Sequence, residues 1–545
     1  WQGPGRIEHW TYKELAVRAI SFGTGLQNIG VHAGDRVALV LSTGPEFYVA
    51  WFGSILAGAV PTALYPPARL GRIDEWRTRT AAMLKNSGSV FVVTEPRLYG
   101  FLGVPVSLAA PRLGCTEVQK VEEAGAGEPL LLNAETDIAA VQFSSGSTGD
   151  PKPVALSHSN MLSNARSIVS RLPGAPSQHR AVSWLPLYHD MGLIGCLLAA
   201  LVARAPITMI RPEHFVANPG CWLQAISETK ATVSVAPNFA FGLTERRVKD
   251  KMLESLDLSR WQVALCGAEP VHPDTLERFV TRFSSCGFRR EAITPVYGLA
   301  EATLAVTFSA LDAAPKWTAF DREELEINRR ARVDSEGIRV ASLGTPLDCE
   351  LQVRSKSGAL LPEGKVGVLH IRGPGVMTGY LNRPEDTAKA IDTEGWLNTG
   401  DMGFLYDQEL YLCGREKDLV IIRGRPSGSR LTRRPALTLP FGGCRPLLCY
   451  RRRSAIRGNT LLSCSGRLTA IPIRLLLLLA FTTTLVAITT LALLLLLFLL
   501  LLLLHRLIRT ASPTAALLAP STLRRRRRFL TPRFILHTKR IGTII

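Results

Sequence analysis

Residues 143–152 read Phe-Ser-Ser-Gly-Ser-Thr-Gly-Asp-Pro-Lys, two glycines and four hydroxyl residues closing on a lysine. Gly146 and Gly149 allow the backbone to turn its N–H groups toward an anion. Ser144, Ser145, Ser147 and Thr148 add hydroxyl donors, and Lys152 adds a full positive charge. The run follows a strand-like segment, 138–143, which is where a phosphate-binding loop at the end of a sheet strand would stand. The lysine follows Asp-Pro and there is no Gly-Lys-Ser/Thr ending, so this is not a Walker loop. A Ser/Gly surface turn has the same composition, and other segments must decide between the two.

The elements that would position such a loop alternate along the chain. Leu15, Val17, Ile20, Leu26 and Ile29 fit one helix ended by Gly30, and 37–41 then reads as a buried strand. Residues 47–57 form a second apolar helical pattern and 90–93 another strand; further strands are predicted at 207–210, 231–235, 263–266 and 293–296. Continuous β-branched runs separated by helices, from residue 11 to about 310, predict an α/β fold with parallel sheets flanked by helices. From about 337 to 413 shorter, Gly-punctuated strands predict a β-rich subdomain. There is no internal repeat.

At 545 residues the chain exceeds one compact core, so a large domain with further elements is expected. The formal charge of +19 is unevenly placed: of 64 basic side chains, 22 lie beyond Asp418, where there is no acidic residue, leaving 42 against 45 acidic ones. The body is therefore near neutral, without a basic-aromatic recognition motif, and no nucleic-acid partner is expected. Ten cysteines without Cys-x-x-Cys or Cys/His metal spacing read as reduced, mostly core residues of a cytoplasmic protein. The chain opens at Trp1 without a signal peptide, and is read as lacking its true beginning.

Beyond Arg425 the composition changes to Arg, Ser, Leu and Pro, with an almost pure leucine run over 475–504. Two readings of 426–545 stand. A 30-residue helix at about 1.5 Å per residue would exceed the ~30 Å of a bilayer core, so the run could span a membrane. Arginines flank both ends, however, and set no orientation. The loss of acids and near loss of lysine fits instead a GC-rich gene translated in the wrong frame.

Several further motifs appear in order: Ser183-Trp-Leu-Pro-Leu-Tyr-His-Asp-Met-Gly192, Ala236-Pro-Asn-Phe-Ala-Phe241, Cys266-Gly-Ala-Glu-Pro270, Tyr297-Gly-Leu-Ala-Glu-Ala-Thr303, Asn398-Thr-Gly-Asp401 and Gly414-Arg-Glu-Lys-Asp418. With the loop, these make residues 10–425 resemble the adenylate-forming superfamily of acyl- and aryl-CoA synthetases, luciferases and adenylation domains. The likeness is closest to the fatty-acyl-AMP ligases, through the Trp-Leu-Pro-Leu-Tyr-His-Asp-Met-Gly run and Ala300 before Glu301. The resemblance implies a large N-terminal adenylation domain over 1–413, a hinge and truncated start of a small C-terminal domain over 414–425, and an unrelated tail over 426–545. It implies ATP and Mg²⁺ as cofactors, a fatty acid as substrate, and an acyl-carrier protein or polyketide synthase as partner.

Residue roles implied by the likeness agree with what the side chains can do. Joining a carboxylate to an α-phosphate brings two anions together, so catalysis is mostly neutralisation and positioning. Ser144, Ser145, Gly146, Ser147, Thr148, Gly149 and Lys152 would hold the β- and γ-phosphates, and Glu301 a Mg²⁺ shared with phosphate oxygens. Tyr297 and Gly298 would face adenine, with Gly267 and Ala268 admitting the purine beside Glu269. Asp401 resembles the ribose-binding aspartate, with Arg415 as a second ribose or phosphate contact. His189 resembles the gate between acyl pocket and nucleotide, Asn238 and Phe239 line the acyl pocket or nucleotide edge, and Lys417 matches the hinge. Lys152, His189 and Glu301 would carry the catalysis. The stretch 314–341 stands where fatty-acyl-AMP ligases carry an insertion relative to CoA ligases.

The likeness breaks after Ile422-Arg-Gly-Arg425, where an Asn-x-Tyr-Pro continuation and the late lysine of the C-terminal domain are expected; Lys539 is the only lysine left. The chain as written is expected to bind ATP and acyl-adenylate but to form adenylate poorly. An acyl-CoA synthetase, or a membrane-tethered binder of nucleotide or acyl-adenylate, are the alternatives.

Overall fold

The computed structural model describes residues 1–67, 70–125, 138–144, 151–415, 419–422 and 425–428. All lie in a unit spanning Trp1–Pro446; a second unit, Leu447–Ile545, contains no described residue. The apolar run 475–504, the hinge residue Lys417 and the loop residues Ser145, Gly146, Ser147, Thr148 and Gly149 fall outside the described residues. Among the described residues no helix is long and apolar enough to cross a membrane.

The first strands are β1 (Arg36–Val40), β2 (Val60–Leu64), β3 (Ser89–Thr94), β4 (Cys115–Glu117), β5 (Ile138–Phe143) and β6 (Pro153–Ser157). They form one sheet in which β5, β2, β1, β3 and β4 run parallel and β6 is antiparallel to β5. A second sheet repeats the design with β7 (Ala181–Ser183), β8 (Ile207–Met209), β9 (Val233–Pro237), β10 (Val263–Gly267), β11 (Ile293–Gly298) and β12 (Ala305–Phe308). Here β11, β10, β9, β7 and β8 are parallel and β12 is antiparallel. Buried parallel strands read as continuous apolar runs because both faces are covered, and β10 is buried at every position.

The helices obey the sequence signals at their ends. Tyr12–Ile29 starts on a capping box between Thr11 and Glu14 and stops at Gly30, whose φ of 97° needs a residue without Cβ. Its buried side is Ala19, Phe22 and Leu26, whereas Val17, expected on the apolar face, is 60% exposed. Pro45–Leu56 stacks Phe47 on Trp51 beneath the first sheet. Below the second sheet Trp222, Phe241, Trp261 and Phe279 pack edge-to-face in a fully buried aromatic core.

The β-rich stretch begins earlier than the texture suggested. Strand β13 (Trp317–Phe320) pairs antiparallel with β14 (Ile338–Ala341), so the stretch read as an insertion holds a strand pair, with the short helix Arg322–Glu326 in the connection. Phe320 packs edge-to-face on Phe404 and Tyr411, while Trp317 Nε1 donates to Glu277 and Arg339 pairs with Asp274. Strand β15 (Thr345–Pro346) extends the second sheet beside β12. Strands β16 (Glu350–Arg354) and β17 (Gly367–Arg372) begin a separate antiparallel sheet, β18 (Gly379–Tyr380) returns to the first sheet beside β6, and β19 (Leu397–Tyr406) and β20 (Glu409–Arg415) complete the four-stranded one. Strand β21 (Leu419–Ile422) pairs with β22 (Arg425–Gly428), where no strand was expected.

One junction is built under constraint. Where parallel β11 turns back into antiparallel β12 the register shifts between Tyr297 and Gly298, a bulge that re-aims the residues after it. A Cβ on Gly298 would stand 1.9 Å from the Leu304 carbonyl oxygen, so only glycine fits. Thr303 then takes φ 65°, ψ −57°, and the Leu304 N–H donates to the Ala302 carbonyl at 2.7 Å. This is a positive-φ γ-turn, a strained form. Asn164, buried on the helix His158–Arg171, accepts from the Ala305 N–H at 3.0 Å and donates to its carbonyl at 2.9 Å.

Asn164→Ala orphans two buried backbone groups and is expected to lower the unfolding free energy by about 2–3 kcal/mol, read from the denaturant midpoint at unchanged slope. Gly298→Ala is expected to cost about 3 kcal/mol or more in the same measurement, because the obstacle is backbone.

Candidate active site

The residues singled out by their chemistry gather at the carboxyl ends of the parallel strands, where open α/β sheets place their ligand crevices. Asn238 and Phe239 follow β9, Gly267 ends β10 with Ala268 and Glu269 next, Tyr297 and Gly298 end β11, and His189 follows β7. Ser144 follows β5 of the other sheet, and its N–H donates to the Lys152 carbonyl at 3.0 Å, closing the base of the Ser/Gly loop. Pro153 sits at the first position of β6, where a missing donor is tolerated.

Glu301 stands on the tight turn Ala300–Ala302 between β11 and β12. Its Oε1 accepts from the Tyr380 hydroxyl at 3.0 Å, and the face of the same Tyr380 ring carries the Lys152 ammonium 4.5 Å from its centroid. Lys152 and Glu301 therefore share one contact residue. Burial raises the Glu301 pKa and the nearby Asp190 charge adds to it, against the Glu301 backbone N–H, the Tyr380 hydroxyl and Arg415, which favour the ionised form. Lys152 also pairs with Asp386 at 3.7 Å.

A second cluster joins β11 to the four-stranded sheet. The Tyr297 hydroxyl donates to Asp401 Oδ2 at 2.8 Å, and Arg415 Nε donates to Oδ1 at 3.0 Å. The Asp401 N–H donates to Thr399 Oγ1 at 3.1 Å, holding its backbone in the turn. Tyr297 is buried in the core, and burial followed by the Asp401 charge drives its phenol far above the usual range. The ring expected to face adenine thus spends its hydroxyl on orienting Asp401. Gly267 likewise has a packing reason, since a Cβ there would stand 2.8 Å from Val296 Cγ2. Ala268 holds φ at 65°, a region costly for a residue with a Cβ.

His189 and Glu269 both reach solvent yet are crowded by protein on most sides, as residues lining a cleft are. Burial opposes charge on the His189 imidazole, but the Asp190 carboxylate, 2.6 Å from Nδ1, outweighs it and raises the pKa. The Met191 N–H donates to Asp190 Oδ1 at 2.7 Å and, more weakly, to His189 Nδ1 at 3.3 Å. Glu269 is pushed up by burial and accepts from the Phe239 N–H at 2.5 Å. Asn238 Oδ1 accepts from the His272 N–H at 3.0 Å, and Phe239 meets Trp184, itself stacked on Phe215, edge-on.

The described members of the expected set thus fall into linked groups: Lys152 with Glu301, Tyr297 with Asp401 and Arg415, and Asn238 and Phe239 with Glu269. Sequence reasoning missed Tyr380 and Asp386, and quoted Asp190 only as part of a motif. The signal for Tyr380 was an aromatic in a Gly-Tyr pair, too short to show periodicity. The described cysteines are all unpaired; Cys196 is buried and pushed up to about 12, far from a thiolate nucleophile.

A Caulobacter vibrioides protein provisionally named an acyl-CoA synthetase is 34% identical over 77% of this chain and 74% of its own. The long-chain-fatty-acid–AMP ligase FadD26 of Mycobacterium tuberculosis is 34% identical over 77% of this chain and 75% of its own. The crystal structure of the fatty acyl-adenylate ligase from L. pneumophila, in complex with acyl adenylate and pyrophosphate, superposes with a TM-score of 0.69 at 33% identity, covering 75% of this chain and 72% of that one. The AMP-binding enzyme family matches residues 3–381, and with the parallel sheets and their carboxyl-end cleft in place, the chain belongs to that family of ATP-using, adenylate-forming ligases.

Proposed function

We propose that the cleft activates a fatty acid: the acid carboxylate attacks the α-phosphorus of ATP, the bond from that phosphorus to the bridging oxygen breaks, and acyl-AMP and pyrophosphate leave. The observation that carries this reading is the Tyr380 bridge, through which the lysine of the Ser/Gly loop and the half-buried Glu301 carboxylate meet one side chain, as two groups serving one triphosphate would. The relatives named for fatty-acid–AMP ligation support the substrate class.

In this reading Lys152 and Ser144, with the loop between them, take the β- and γ-phosphates. The residues fit a Mg²⁺ ion held jointly with phosphate oxygens: Glu301 offers an oxygen ligand in a negative field shared with Asp190, and among the described residues no group of three or more ligand side chains forms a dedicated cage. Bound there, the ion would neutralise charge on the phosphates. Asp401, oriented by Tyr297 and Arg415, accepts from the ribose hydroxyls; a carboxylate offers about four acceptor positions. His189, whose charged form Asp190 favours, would attract the incoming carboxylate, and Asn238 and Phe239 would border the acyl chain beside Trp184 and Phe215. The thiol of an acyl-carrier protein or polyketide synthase then attacks the acyl carbon, loses its proton and forms a thioester, while the bond from that carbon to the phosphate oxygen breaks and AMP leaves. The Caulobacter relative favours a second reading, transfer to CoA; product analysis with CoA and carrier protein side by side separates the two.

The test is titration with a non-hydrolysable acyl-adenylate mimic: affinity rises with acyl length from two to twelve carbons if the reading holds, and absence of binding overturns it. Lys152→Ala is expected to weaken ATP about tenfold or more, since a charge-assisted phosphate contact is lost. Glu301→Gln is expected to bind ATP with little response to Mg²⁺, followed by calorimetry with and without the metal.

A further inference from the structure

The Lys152 ammonium is not waiting in open solvent. It sits over the Tyr380 ring and 3.7 Å from the Asp386 carboxylate, a residue that stands outside every motif of the site. Both partners come from one segment. Strand β18 pairs with β6, with Tyr380 opposite Val154, and the Leu381 N–H donates to the Pro153 carbonyl at 2.8 Å, which fixes the segment beside the lysine. The short helix Pro384–Ala390 then carries Asp386 back, tied through Thr387 Oγ1, which accepts from the Tyr380 N–H at 2.9 Å. Arg383, 3.6 Å from the other Asp386 oxygen, keeps that carboxylate in place.

We propose that Asp386 is a positioning residue: resting on Tyr380, the Lys152 side chain is held by Asp386 until nucleotide phosphates displace the carboxylate. The proposal deepens the nucleotide-activating reading and rests on it. Asp386 occupies toward Lys152 the place a phosphate oxygen would take, so it competes with the ligand while keeping the lysine extended at the site. The competition is mild. Both side chains are about one-third exposed, and such a pair limits affinity by no more than about fivefold. A lysine engaged in this way lowers apparent affinity in proportion to the fraction of enzyme ready to bind.

The consequence is a gain of function confined to polyphosphates. Asp386→Asn in the full chain should bind ATP and inorganic pyrophosphate about three- to fivefold tighter, with AMP, which lacks the β- and γ-phosphates, unchanged. Glu385→Gln removes one negative charge from the same helix at a residue exposed to solvent. It should leave all three affinities where they are, which separates direct competition from a general field. Asp386→Ser repeats the gain with a smaller side chain. Equal or weaker pyrophosphate binding by both Asp386 variants overturns the proposal, as does an equal gain in Glu385→Gln. Wild-type chain that binds neither ATP nor pyrophosphate overturns the nucleotide reading itself, and the Asp386 role with it.

Discussion

The site depends on the reversal between β11 and β12, where a sheet that has run parallel turns back on itself. A half-buried carboxylate such as Glu301 can be aimed into a cleft only if the backbone carrying it is fixed against thermal wandering. Here the fixing is covalent and steric before it is electrostatic. Gly298 lets the Leu304 carbonyl approach, Thr303 accepts a strained γ-turn, and the Asn164 carboxamide takes over the ladder bonds that the bulge has displaced from Ala305. Strain of this kind persists only where surroundings over-determine it. The buried Thr303 hydroxyl donating to Gly375 at 2.7 Å is one such surrounding.

From that turn the contacts run outward into all three large sheets. Glu301 meets Tyr380 of β18, which belongs to the first sheet; Tyr297 of β11 meets Asp401 of β19 in the antiparallel sheet, and Arg415 of β20 closes on the same carboxylate. No one sheet holds the site alone. The β13–β14 hairpin adds a further tie, setting Phe320 on the antiparallel sheet while Trp317 and Arg339 grip the helix Pro273–Phe283 beneath the second one. Packing of the layers and assembly of the cleft are thus the same event, which is why side chains more than a hundred residues apart can be set to within hydrogen-bond distance.

How much the sequence discloses depends on range. Parallel strands are covered on both faces and announce themselves as short apolar runs, so most of those expected between residues 37 and 296 stand within two residues of their places. Among the expected strands the errors lie at the ends, whereas Val60–Leu64, Pro153–Ser157 and Ala181–Ser183 were not expected at all. Pro237, Gly267 and Gly298 are the last residues of β9, β10 and β11 and also border the cleft, so their types answer to turns and close approaches rather than to the strand pattern. Val17 fits the helical period but faces solvent, because period alone does not say which stripe meets a partner. Tyr380 was invisible for a stronger reason: a strand of two residues has no period, and its partners Lys152 and Glu301 are brought to it only by the pairing of β18 with β6 and the turn after β11.

The balance of charge explains what must enter with the nucleotide. Glu301, Asp190, Asp401 and Glu269 are carboxylates crowded by protein, while the described cations beside them are already engaged: Arg415 by Asp401, His189 by Asp190, Lys152 by Asp386. At an effective dielectric of about 20, unit charges at 4 Å interact by about 4 kcal/mol, so a bare triphosphate approaching Glu301 would meet repulsion that one lysine barely offsets. In the proposed reading, Glu301 would hold a divalent cation jointly with the phosphates, and that charge would offset the repulsion. The raised pKa of Glu301 belongs to the same argument. Burial makes the Glu301 charge costly, and the Tyr380 hydroxyl and Arg415 offset only part of that cost.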